Sequence, residues 1–166
     1  MVTFPAFQVH SLQHGIRVIE FQTPHYERLI VMFAQKVLTQ DHWDSSRALE
    51  LLDVEPYRLP QPLTLEKQRG YLEERIVDFP DFTAERIQLE KGRTKEFFCE
   101  GRYHLLICIS GLAVMENEAG KTFQLLPEQA VFWGAGTKSY RVSNNESETL
   151  IFLRAVPVGK NIEASA

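Results

Sequence analysis

Residues able to do chemistry are few and scattered in this chain. It has five histidines and two cysteines, and Cys99 and Cys108 stand nine apart with no metal-ligand spacing around them. Two free thiols in a cytoplasmic protein are the natural reading, with a Cys99–Cys108 disulfide as the alternative. Arg102, His104, Tyr140 and Arg141 are polar residues set among apolar ones in the C-terminal half. Brought to one pocket, they would suit a phosphate or carboxylate ligand, because the guanidinium fork matches such anions. The aromatic residues nearby, Phe123, Phe132, Trp133, Tyr140 and Phe152, read more simply as core.

Strands must position these residues. Apolar and polar residues alternate over 74–79 and 83–90, and Gly92 ends the second run. A short segment follows at 94–99, then two strands over 103–115 meeting near Gly111. Turn residues at 117–120, 127–129, 134–136 and 144–146 separate further strands at 121–126, 130–133, 139–142 and 149–156. That spacing predicts a small antiparallel barrel or sandwich.

Earlier residues divide differently. Residues 4–10 form an extended lead-in ending at His10, and Gly15 permits a tight turn into an alternating run at 16–22. Pro24 breaks that run, and 26–33 predicts another strand. A tight turn at Gly15 argues against a helical His10–His14 metal pair, and His14, His25 and His42 read as surface residues. Residues 44–52 suit a short helix, with Asp44 or Ser45 as N-cap and Ala48, Leu51 and Leu52 on one face. Pro56, Pro60 and Pro62 make 54–62 an extended connector, and 63–70 is too weakly periodic to predict an element. The expected organisation is an N-terminal β segment at 1–36, a connector at 37–71, a barrel at 72–158 and a flexible tail at 159–166. The β segment is too short to bury its own faces, and its open edges predict a homodimer.

The net charge of -4 and the sequence pI near 5.8 argue against nucleic-acid and anionic-membrane partners, which need clustered Lys and Arg. The sequence holds no apolar run of membrane-spanning length, and its start lacks a signal-peptide layout, so the expected location is the cytoplasm.

The order of strands and turns over 83–156 resembles a cupin, an all-β jelly-roll barrel. The Ser110-Gly111 turn, the Leu-Pro-Glu-Gln-Ala-Val-Phe run and the Gly-Ala-Gly turn sit where that family's two motifs fall. Metal-binding cupins carry a His-x-His pair before the first glycine turn and a His after the second. Here those regions hold Phe97, Phe98 and Cys99, then Lys138, Ser139 and Tyr140, so the resemblance implies a barrel without a three-histidine site.

A second resemblance lies at the N-terminus. Pro5-Ala6-Phe7-Gln8-Val9-His10-Ser11, then Val18-Ile19-Glu20-Phe21-Gln22 and Tyr26-Glu27-Arg28, is similar to class I mannose-6-phosphate isomerases. In that family a Pro-Ala-Gly-Thr-x-His-Ala turn carries a zinc-ligating His, and a Thr-Tyr-Arg segment carries a catalytic Arg. The resemblance places those roles on His10 and Arg28, with Phe7 for the usual glycine and Glu27 between Tyr26 and Arg28. It implies interconversion of mannose 6-phosphate and fructose 6-phosphate through an enediolate, stabilised by Arg28 and polarised by zinc. The plainer readings are a strand-end His10 bonded to backbone and a surface ion pair for Arg28. The family's other zinc ligands, a Gln-x-His pair and a Glu, fall upstream of the Pro-Ala turn. One histidine does not make the roughly three protein ligands of a catalytic zinc. The expectation is therefore an isomerase-like cupin without turnover or tight zinc as an isolated chain. The alternative is a metal-free cupin that binds a small sugar or sugar phosphate, or that dimerises.

Overall fold

Period-two alternation becomes strand after strand from residue 63 onward. In a computed structural model of the protein the described residues are 8, 10, 11, 14–21, 29, 45–55 and 60–159, and the chain divides into two units, Met1–Leu59 and Pro60–Ala166.

The second unit holds ten strands: β1 (Leu63–Gln68), β2 (Tyr71–Asp78), β3 (Phe82–Leu89), β4 (Arg93–Phe98), β5 (His104–Ser110), β6 (Ala113–Asn117), β7 (Thr122–Leu125), β8 (Ala130–Trp133), β9 (Ser139–Asn144) and β10 (Leu150–Pro157). They form a six-stranded sheet in the order β1-β2-β3-β10-β5-β8 and a four-stranded sheet in the order β4-β9-β6-β7. All the ladders are antiparallel. From β3 onward the chain passes repeatedly between the sheets, which is jelly-roll topology. Strand β1 lies where no element was expected. Five of its six residues are exposed, so no apolar period marks it, and the Gly70 turn at φ +76° folds it onto β2.

The inward residues of both sheets form one core, including Ile87, Leu89, Leu106, Met115, Val142, Leu150 and Phe152. Cys99 and Cys108 are buried, separate thiols, so the disulfide alternative is excluded. Gly111 holds φ +78°, and a Cβ there would meet Leu150 Cα at 2.9 Å, so the β5–β6 turn leaves no room for a side chain.

Fully buried Asn144 ties the two sheets at one end of the barrel. Its Nδ2 donates to the carbonyls of Leu89 and Glu148, both at 2.8 Å, and its Oδ1 accepts from the Glu146 amide at 2.9 Å. Asn144→Ala leaves these groups unpaired and is expected to cost about 2–3 kcal/mol in urea denaturation. A loss within the scatter of a surface substitution would show that water takes over all three bonds.

In the first unit, helix α1 (Ser45–Leu51) is present as expected. Ala48 is buried, Leu51 and Leu52 are half-buried, and Leu49 is exposed, which is the predicted face. Asp44 and most of the predicted 26–33 strand lie outside the described residues. Gly15 makes its turn at φ +80°. The 16–22 strand is corrected, because described residues 16–21 carry no ladder and Ile16, Val18 and Ile19 are exposed. Alternation alone does not make a strand without a partner to pair with. The bridge seen in this unit among the described residues is a parallel one between Gln8 and Asp53. No helix among the described residues is long and apolar enough to cross a membrane.

Candidate functional site: the polar interior of the barrel

Strand register decides which inward side chains meet. Glu85 of β3 lies opposite Arg75 of β2 on one side and Arg154 of β10 on the other. His104 of β5 lies opposite Trp133 of β8, and in the facing sheet Phe97 of β4 lies opposite Tyr140 of β9.

Arg154 is the hub. Its Nη2 donates to Glu73 Oε1 at 2.8 Å, its Nε is 3.5 Å from Glu85 Oε2, and its guanidinium lies 4.6 Å over the Phe97 ring. The Tyr71 hydroxyl donates a short hydrogen bond to Glu73. Thr83 Oγ1 donates to Glu85 Oε1 at 3.0 Å, and Arg75 Nε stands 3.5 Å from the same oxygen. That last contact is an ion pair too long for a hydrogen bond, which leaves Arg75 Nε an unsatisfied buried donor. Two guanidinium groups thus face two carboxylates, and the inner ion cluster is balanced in charge. Burial of such charges is tolerable only with this pairing.

Beside the cluster is an aromatic stack. Tyr140 stacks on Phe97 at 5.4 Å and on Trp133 at 4.8 Å, and His104 meets it edge-on, with Nδ1 2.9 Å from the Tyr140 hydroxyl. His104 is 2% exposed. Burial pulls its pKa down to about 4, and the charges of Arg154 and Arg102 act in the same direction. Burial pushes the Tyr140 phenol up, although Arg154 works against it, and burial with the Glu73 contact pushes Tyr71 up. At neutral pH the site therefore offers a neutral imidazole and two protonated phenols. They donate and accept hydrogen bonds, but His104 is a poor base.

The structure brings together two of the four expected ligand residues. His104 and Tyr140 meet, whereas Arg102 and Arg141 do not join them. Tyr140 and Arg141 are adjacent on β9, so their side chains take opposite faces, and Arg141 lies outside, 3.5 Å from Glu116. Arg102 sits in the β4–β5 loop, 3.1 Å from Glu100, and acts on His104 only through its charge. In the first unit His10 is exposed, with Nδ1 3.0 Å from the Gln8 carbonyl. Arg28 lies outside the described residues. Sequence reasoning missed Arg154, Glu73, Glu85 and Tyr71. The available signal was Arg154 itself, a charge at the same parity as Phe152 and Val156 in an otherwise apolar strand.

The residues at the metal-motif positions do not fit a metal. Phe97 offers only carbon, and Cys99 is a buried thiol whose pKa burial pushes up. Among the described residues no group of three or more His, Cys, Asp and Glu side chains could hold a metal ion. An open cleft of about 420 Å³, bounded by Ile109, Gly111, Pro127 and Glu148, contains none of the polar interior residues.

Comparison with solved structures extends the geometry to a fold family. The chain is similar to an uncharacterised conserved protein with a double-stranded β-helix domain from Klebsiella pneumoniae subsp. pneumoniae MGH 78578. The identity is 16% and the TM-score 0.52, over 57% of this chain and 83% of that one. It is also similar to a Cupin_2 domain of an XRE family transcriptional regulator from Enterobacter cloacae. There the identity is 21% and the TM-score 0.50, over 55% of this chain and 99% of that one. No protein-family model matches the chain, and no curated protein matches it. The likenesses are of fold: the ten-stranded unit has a cupin-like jelly-roll fold.

Proposed function

We propose that this cupin barrel is the packed, non-catalytic module of a protein of the mannose-6-phosphate isomerase kind. The observation that carries the reading is the filled interior. Where a metal and substrate need space and ligands, the Phe97–Tyr140–Trp133 stack and the buried His104 take up the volume. Among the described residues, the inward cations Arg75 and Arg154 each already face a carboxylate.

The substrate class comes from the resemblance around His10 and Arg28. On this reading His10 is one member of a zinc ligand set, and Arg28 stabilises the negative charge of an enediolate. The isolated chain is expected to turn over no mannose 6-phosphate in a coupled assay with added zinc, and to hold zinc well below one equivalent by elemental analysis. Turnover that disappears in His104→Phe would overturn the packed-barrel reading. Turnover that disappears only in His10→Ala would keep the barrel inert and make the chain an enzyme.

A second reading, sugar or sugar-phosphate binding inside the barrel, has one observation in its favour. Trp133 Nε1 is buried with no hydrogen-bond partner, as if an acceptor belonged there. Calorimetric titration with mannose 6-phosphate is expected to give no saturable heat. Saturable binding that is lost in Trp133→Phe would favour this reading over the first.

A further inference from the structure

Strand β1 is lightly held. Only Glu66 among its six residues is half-buried, Leu63 and Leu65 stay 58% and 41% exposed, and a bulge between Thr64 and Glu66 interrupts its ladder to β2. It ends the six-stranded sheet, as β4 ends the four-stranded one, and no ladder joins the two. Side chains close this seam instead. Lys95 Nζ of β4 donates to Glu66 Oε2 at 2.6 Å and lies 4.7 Å over the Tyr71 ring of β2. Directly behind, the Tyr71 hydroxyl holds Glu73, and Glu73 holds Arg154.

We infer that β1 is a strap over a side entrance to the buried ion cluster. Its release from β2 opens the seam between β2 and β4 and admits water and small solutes to Glu73 and Arg154, while the rest of the barrel stays folded. Local opening is drawn from segments with little buried apolar surface, and among the described residues β1 gives up a short ladder and one partly exposed ion pair. By contrast, β3 and β10 are paired on both sides and carry the fully buried Ile87, Leu89, Leu150 and Phe152. Their release would take the core with it.

Native-state hydrogen exchange tests the strap. Ladder amides of β1 are expected to exchange at least about tenfold faster than those of β3 and β10. Lys95→Met, which cuts the tie to Glu66, is expected to speed exchange in β1 and at Tyr71 and Glu73 by about threefold, leaving Ile87 and Phe152 unchanged. Arg141→Met removes an exposed ion pair elsewhere and is expected to leave β1 unchanged. Should Lys95→Met fail to fold, Glu66→Gln removes the same charge pair with the side-chain shape retained. Exchange in β1 as slow as in β3, or a Lys95→Met effect spread evenly over both sheets, would overturn the inference.

Discussion

Replacing Arg154 by methionine is expected to destabilise the protein by about 3–5 kcal/mol. Methionine keeps most of the volume but removes the cation that, among the described residues, pairs with Glu73, along with a partner of Glu85. Glu85 retains Arg75, so the main damage is an unpaired carboxylate at Glu73, 10% exposed and bonded to Tyr71. Urea denaturation measures the loss. Adding Glu73→Gln to Arg154→Met should recover a substantial part of it, because the stranded charge is gone. A single-variant cost below about 1 kcal/mol would mean that the cluster behaves as a surface ion pair, screened by water.

The second large effect is acid sensitivity placed on one residue. His104 has an ordinary pKa of 6.5 in the unfolded chain and about 4 in the fold. Above pH 6.5 it is neutral in both states and contributes no pH dependence. As pH falls from 6.5 towards 4, the unfolded chain takes up a proton that the folded chain refuses, so stability drops. The full loss, about 3 kcal/mol, is reached below pH 4. Carboxylates add their own acid dependence, so the useful quantity is the difference between wild type and His104→Asn, whose amide retains a polar contact for Tyr140. Denaturation at pH 7, 5.5 and 4 is expected to show the wild type losing about 3 kcal/mol more than the variant. Parallel losses over this range would place a titrating, water-accessible imidazole at position 104.

Both predictions involve residues of unequal legibility. In the sequence His104 is a polar residue in an apolar strand, and its partner Tyr140 carries a polar group among apolar neighbours. Their meeting depends on β5 and β9 facing each other from different sheets, which nothing local dictates. Arg102 and Arg141 carry the charge that an anion site needs, but each stays out of the site for a local reason. Arg141 has the wrong parity beside an inward Tyr140, and Arg102 lies in a loop with Glu100 at hand. Strand parity was available from the sequence alone and would have separated Arg141 from Tyr140.

By itself, the sequence determined the strands of the barrel and its turns, and the resemblance to cupins implied the jelly-roll class. The strands and turns are written in period-two alternation and turn residues, which act over a few neighbours. Weakly patterned β1 was the exception, because a strand exposed on both faces carries no apolar period. Only the tertiary structure decided the contents of the barrel. Arg154 and Glu73 are 81 residues apart and meet because β10 inserts beside β3 and β3 beside β2. A charge in an apolar strand is a local fact, whereas its neutralisation depends on which distant strand lies alongside. The same holds for the aromatic stack inside the barrel. Trp133 and Tyr140 read as ordinary core residues one by one, and their stacking with Phe97 is set by the tertiary structure.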